Sequence, residues 1–119
     1  MGALTLSWLK CGSDFHWCSL QYIDLGTVKE SGIYVIWHEG NPSRVVYVGQ
    51  GDPISARLAS HQKDARIQAH AKSGILRVTW ATVPAYQRDG VERYLADQLR
   101  PLVGDVHPVA NPISVNSPW

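Results

Sequence analysis

The sequence predicts an α+β domain: a three-stranded antiparallel sheet flanked by helices, in ββααβα order. Three observations predict it. Ile33, Val35 and Trp37 alternate with Tyr34, Ile36 and His38 in the two-residue period of a strand. After Gly40-Asn41-Pro42 the chain returns through a Val- and Tyr-rich run, 44–49, at the spacing of a hairpin. Beyond it, two stretches with helical spacing bracket a further apolar run, 75–83.

Taken in order, residues 1–28 read as an irregular apolar cap, with Trp8, Phe15, Trp17, Tyr22 and Ile23 set between Gly and Ser. If the turn pairs His38 with Ser43, Tyr34 lies directly opposite Tyr47 and both phenols project from one face; a one-residue slip separates them. Asp52-Pro53 is a helix start, because the carboxylate can accept from free amides and Pro at the first helical position loses no bond. That helix is expected to run to about Gln62, with Ile54 and Leu58 on a core stripe and Arg57 and His61, also four apart, on a neighbouring one. Asp64 is placed to cap a second short helix through Ala71, and Lys72-Ser73-Gly74 ends it before the third strand. After Pro84 a last helix opens near Asp89, its buried stripe being Val91, Leu95, Leu99 and Leu102, with Glu92 beside it. Pro101 and Gly104 end that helix, and the Pro-rich tail, 103–119, is expected to be extended.

With 119 residues, 45% of them apolar, the chain is the size of one domain with a real core. Lys and Arg number 11 against 10 Asp and Glu, which excludes the strong overall field of a high-affinity nucleic-acid binder and leaves only clustering of its arginines. Cys11 and Cys18 supply no framework of paired bridges, so a reduced, cytoplasmic setting is expected. The start of the chain has no leader pattern and no apolar run reaches membrane-spanning length, so a soluble protein with no membrane partner is expected.

Chemistry concentrates in a short stretch: Gly32-Ile33-Tyr34, then Tyr47-Val48-Gly49, then Arg57 and His61 one helical turn apart, and finally Glu92 on a later helix. Two phenols, a guanidinium, an imidazole and a carboxylate are the proton carriers and charges that phosphodiester hydrolysis needs. In this order and spacing, over residues 31–102, the set resembles the GIY-YIG nuclease superfamily, as a stand-alone member. The resemblance implies a catalytic set of Tyr34, Tyr47, Arg57, His61 and Glu92. Tyr34 would lie beside the attacking water, Arg57 on the phosphate and His61 in the proton path. Tyr47 would orient water or phosphate, and Glu92 would hold one Mg²⁺ or Mn²⁺ ion. The implied activity is a DNA endonuclease leaving 5′-phosphate and 3′-hydroxyl ends.

No separate DNA-reading segment is evident, so low intrinsic specificity is expected, with specificity drawn from a protein partner or from single-stranded or branched DNA. Monomer and homodimer both remain open. Gly49 is expected to let backbone and substrate approach closely. The family places an Asn shortly after the Pro that ends the glutamate helix; here Gly104 stands three after Pro101, so the substrate-contacting Asn falls to Asn116 or Asn111, with Asn116 favoured by the extended segment around Val115. Cys11, His16 and Cys18 match no common zinc spacing. Trp37 and Trp80 read as core, while Trp119 reads as a clamp for the tail. Two other readings stay open: a non-catalytic nucleic-acid binding module, and the same nuclease chemistry in a toxin or phage-defence effector.

Overall fold

The structure, a computed structural model, describes residues 4–13, 16–104 and 106–119. Alternation delivers the expected hairpin: β2 (Gly32–His38) and β3 (Arg44–Gly51) pair antiparallel, and β4 (Leu76–Thr82) pairs antiparallel with the other side of β2. The sheet has four strands, not three, in the order β1-β4-β2-β3. The added strand, β1 (Cys18–Ser19), comes from the lead-in and pairs with Val78 and Arg77 of β4. Two residues are too short for a period to show. The lead-in is therefore part of the sheet as well as a cap, although Tyr22, expected to pack on the core, is exposed. Phe15 lies outside the described residues.

The two cysteines are joined, Cys11 to Cys18, across a short antiparallel bridge between Cys11 and His16. The bridge occupies both thiols, which leaves the Cys11, His16 and Cys18 set no thiolate for a metal, and it runs against the reduced state expected of two isolated cysteines.

Helices cover both faces. On one, α1 (Ile54–His61) and α2 (Ala65–Gln68) bury Ile54, Leu58 and Ile67 against Ile36, Val46 and Val78. On the other, α3 (Arg88–Leu99) buries Val91 and Leu95 against Ile33, Val35, Val48 and Ala81, and Leu6 and Val115 join this layer. Asp64 caps α2 as expected, accepting from the Arg66 amide at 2.9 Å. Asp52 does not cap α1. Pro53 is the cap residue and makes no side-chain bond, while the Asp52 carboxylate accepts from Ser31 Oγ at 2.6 Å and pairs with Arg88. Leu102 is likewise not in the α3 stripe: the helix ends at Leu99, Arg100 follows with a left-handed φ of 50°, and Leu102 is exposed. Proline at 101 disfavours the helical conformation for its predecessor, which stops the helix there.

The register differs from the expected one by two residues. The turn is one residue longer, pairing His38 with Arg44, and a bulge between Ile36 and Trp37 adds the second, so Tyr34 faces Gly49 and Ile36 faces Tyr47. Because side chains alternate with period two, a shift of two returns both phenols to the same face. They are diagonal rather than direct neighbours, stacked at a centroid distance of 6.0 Å.

Among the described residues no helix is long and apolar enough to cross a membrane.

Candidate active site

Gly49 sets the geometry. A Cβ there would lie 2.6 Å from the Tyr34 hydroxyl and 2.7 Å from the Tyr47 ring, so only glycine lets Tyr34 lie across β3 with its hydroxyl against the strand. Under this cover Tyr34 is 0% exposed. Its hydroxyl meets His61 Nε2 at 2.5 Å, which brings β2 and α1 together through their polar atoms. The i, i+4 spacing on α1 puts Arg57 one turn earlier on the same side, where its Nη2 donates to the Tyr47 hydroxyl at 3.3 Å. The Tyr47 ring also packs on the His61 ring at 4.4 Å. Tyr34, Tyr47, Arg57 and His61 thus form one contiguous cluster, with Tyr47 and Arg57 outermost.

Burial governs their protonation. His61 is 5% exposed, and desolvation, then the Arg57 charge, lowers its pKa from 6.5 to about 4, so it is neutral at pH 7. Desolvation raises the Tyr34 pKa well above the ordinary tyrosine value of 10, with the Arg57 guanidinium opposing the rise. The Arg57 pKa is raised, first by attraction to Tyr34. In the tautomer in which the phenol donates to Nε2, the imidazole proton sits on Nδ1, which is buried with no hydrogen-bond partner among the described residues.

Glu92 approaches from the other face of the sheet. It is 7% exposed, not the open carboxylate of a solvated first turn. Its Oε1 accepts from the Gln50 amide at 3.0 Å and its Oε2 meets His107 Nδ1 at 2.9 Å. Gln50 also donates to Asp89 at 2.9 Å. Gln50 and His107 escape sequence reasoning: Gln50 follows the glycine of the second motif, and His107 sits in a tail with no period to place it. Tyr47, Gly49, Gln50, Arg57, Glu92 and His107 line one cleft of about 310 Å³. The site therefore straddles β3, with phenols, guanidinium and imidazole on one side and the carboxylate on the other.

Glu92 offers the carboxylate oxygen that a hard divalent ion takes. Its Oε2 is hydrogen-bonded to His107 Nδ1 at 2.9 Å, a contact that orients the carboxylate. Among the described residues no three His, Cys, Asp or Glu side chains group to hold a metal, so water and substrate oxygens would complete the shell.

The two asparagines lie elsewhere. The Asn116 side chain bonds both backbone groups of Leu6, accepting from its amide at 2.6 Å and donating to its carbonyl at 3.0 Å, and Trp8 Nε1 donates to the Asn116 carbonyl. With Val115 bridged to Leu4, it fastens the tail to the lead-in rather than contacting substrate. Asn111 is exposed beside Gly90, outside the cleft. Comparisons with protein-family models, with curated proteins and with solved structures find no match to this chain, so the resemblance rests on the residues and their geometry alone.

Proposed function

We propose that the chain is a GIY-YIG type endonuclease that hydrolyses DNA phosphodiesters with the help of one Mg²⁺ or Mn²⁺ ion, leaving 5′-phosphate and 3′-hydroxyl ends. The observation that carries this reading is the convergence of Tyr34, Tyr47, Arg57 and His61 on one side of Gly49 with Glu92 on the other. Arg57 meets the phosphoryl group first, being exposed, free of any carboxylate partner among the described residues, and placed in the cleft. Tyr47, accepting from Arg57, keeps its O–H and a lone pair to orient water or a phosphoryl oxygen.

Tyr34 and His61 handle the proton. As water attacks phosphorus, Tyr34 takes its proton while the phenol's own proton passes to His61 Nε2, so no free phenolate has to form in a buried site. Because Tyr34 lies beneath Tyr47 and Arg57, the water enters as those side chains part around the phosphate. The P–O3′ bond breaks, the leaving oxygen takes a proton from solvent at the open cleft, and the His61 imidazolium returns its proton to Tyr34 as Tyr34 gives one back to solvent, which resets the pair. Glu92, oriented by His107, would hold the ion, which would relieve negative charge on the phosphoryl and leaving oxygens.

A non-catalytic nucleic-acid module is the second reading. Full burial of Tyr34 and the ties of both Glu92 oxygens favour it. Incubating the protein with single-stranded, flapped and duplex DNA in Mg²⁺, Mn²⁺ or chelator, beside Tyr34→Phe and Glu92→Ala, separates the two. Metal-dependent cutting that falls by about a hundredfold or more in each variant supports the nuclease. Binding without cutting by the parent protein supports the module.

A further inference from the structure

The charges are not spread evenly. Of the seven arginines, Arg66, Arg77, Arg88 and Arg93 each sit in ion-pair range of a carboxylate, on Asp64, Glu39, Asp52 and Asp97. Arg44, Arg57 and Arg100 have no carboxylate partner among the described residues. Arg57 belongs to the active site. Arg44, the first residue of β3, and Arg100, the left-handed residue after α3, both line a second cleft of about 330 Å³ near the opposite end of β3.

That cleft has an aromatic wall. Trp37 and Trp119 line it with ring centroids 4.8 Å apart, and Trp17 packs edge-on against Trp37 at 5.3 Å. Trp37 is buried and holds its neighbour, while Trp119 is 57% exposed and offers ring surface. Among the described residues no Asp or Glu side chain lines the cleft, whose other polar side chains are Ser43 and Gln98. An exposed indole flanked by two unpaired guanidinium groups is what a nucleobase and its phosphates require, since stacking accepts any base and the arginines follow the backbone. A purely apolar partner would leave both charges without a counterpart.

Position selects the occupant. Arg44 and Gly49 are five residues apart on one strand, about 17 Å at the usual rise of about 3.3 Å. That span is about five nucleotides at the duplex rise of about 3.4 Å, and fewer for an extended strand. We propose that this cleft is a base-stacking subsite holding the single-stranded continuation of the DNA whose phosphate lies at Arg57. The identity of the ligand rests on the nuclease reading; binding at the cleft does not.

The test is fluorescence anisotropy of labelled oligothymidylate, twelve nucleotides or so in length, with the full chain in chelator across a salt series, so that nothing is cut. Trp119→Ala is expected to weaken binding about tenfold, from the loss of one stacked base. Arg44→Ala with Arg100→Ala is expected to flatten the slope of log affinity against log salt by about 1.4, two phosphate contacts on a single strand. Both variants change exposed side chains, so circular dichroism should match the parent. Unchanged affinity and slope in both would overturn the subsite, as would absence of oligonucleotide binding by the parent. A concentration-dependent dimer lost in Trp119→Ala, with no effect on oligonucleotide binding, would make the cleft a self-interface and equally overturn it. Cutting by the parent in Mg²⁺ or Mn²⁺ is scored separately, so failure of the subsite and failure of the nuclease reading are distinct results.

Discussion

Acidification should strike this fold through His61. In the native state its pKa is about 4, against 6.5 when unperturbed, because it is buried and faces Arg57. Between those values the unfolded chain binds a proton that the native state refuses, so stability is full above about pH 6.5 and falls as pH drops towards 4. The gap corresponds to a loss of up to about 3 kcal/mol, a large share of the ~5–15 kcal/mol typical of a domain. Tyr34 adds nothing in this window, since its raised pKa keeps it a neutral phenol throughout. Carboxylates also titrate at the acidic end, so the His61 contribution has to be read as a difference. Urea unfolding of the parent and of His61→Gln should be followed from pH 7.0 to 4.5. The stability advantage of the parent should shrink by about 2–3 kcal/mol over that range. A constant difference, or an NMR titration of the His61 ring centred near 6.5, would refute the burial argument and the neutral-imidazole mechanism with it.

Gly49→Ala should destabilise the protein by about 1–3 kcal/mol and abolish cutting, because the new methyl would press on the hydroxyl of Tyr34 and the ring of Tyr47; denaturant melts and a plasmid-nicking assay check both. His107→Ala should weaken Mn²⁺ binding by about tenfold or more, followed by electron paramagnetic resonance of the free ion, while leaving the unfolding free energy within about 1 kcal/mol of the parent; unchanged affinity would remove His107 from the ion site. Reducing the Cys11–Cys18 bridge should cost about 2 kcal/mol, from the loop entropy of a short closed segment, and should loosen β1 from β4 before the rest of the sheet, which hydrogen exchange at Cys18 and Ser19 would detect.

What could be read from the sequence is what repeats along it. The alternation of 32–38, the return strand and the four-residue step from Arg57 to His61 each express a period, and each formed where expected. The Asp64 cap was legible for a different reason, since its bond is to an amide two residues on. The features that escaped depend on distant partners. β1 needs β4 beside it, the Ile36/Trp37 bulge needs the sheet on both sides, and His107 needs a tail route set by backbone bonds from Leu102 and Val103 to Val45 and Val46. Asn116 was placed correctly as part of a returning extended segment and wrongly as a substrate contact: nothing local distinguishes an amide that grips Leu6 from one that faces a cleft. Burial of His61 was equally invisible, because the helical step gives its direction but not the depth of Tyr34 beneath Gly49.

The site exists because β3 is an edge. In the interior of a sheet, groups on opposite faces are kept apart by the strands themselves, so a guanidinium from α1 and a carboxylate from α3 could not share one substrate. At an edge they can meet around the strand, but a bare edge also invites other chains to pair with it. The tail resolves this over half the strand only. Leu102 and Val103 cover Val45 and Val46, and then Gly104, at a φ of 91° that disfavours a side chain, turns the chain away; a Cβ there would come within 3.0 Å of the Tyr47 ring. Among the described residues the tail makes no backbone bond to Tyr47 or Gly49. The segment left uncovered is the one that carries both candidate catalytic positions of β3, and the same turn leads the tail on to His107 beside Glu92. Edge protection and site construction are thus two results of one path of the chain.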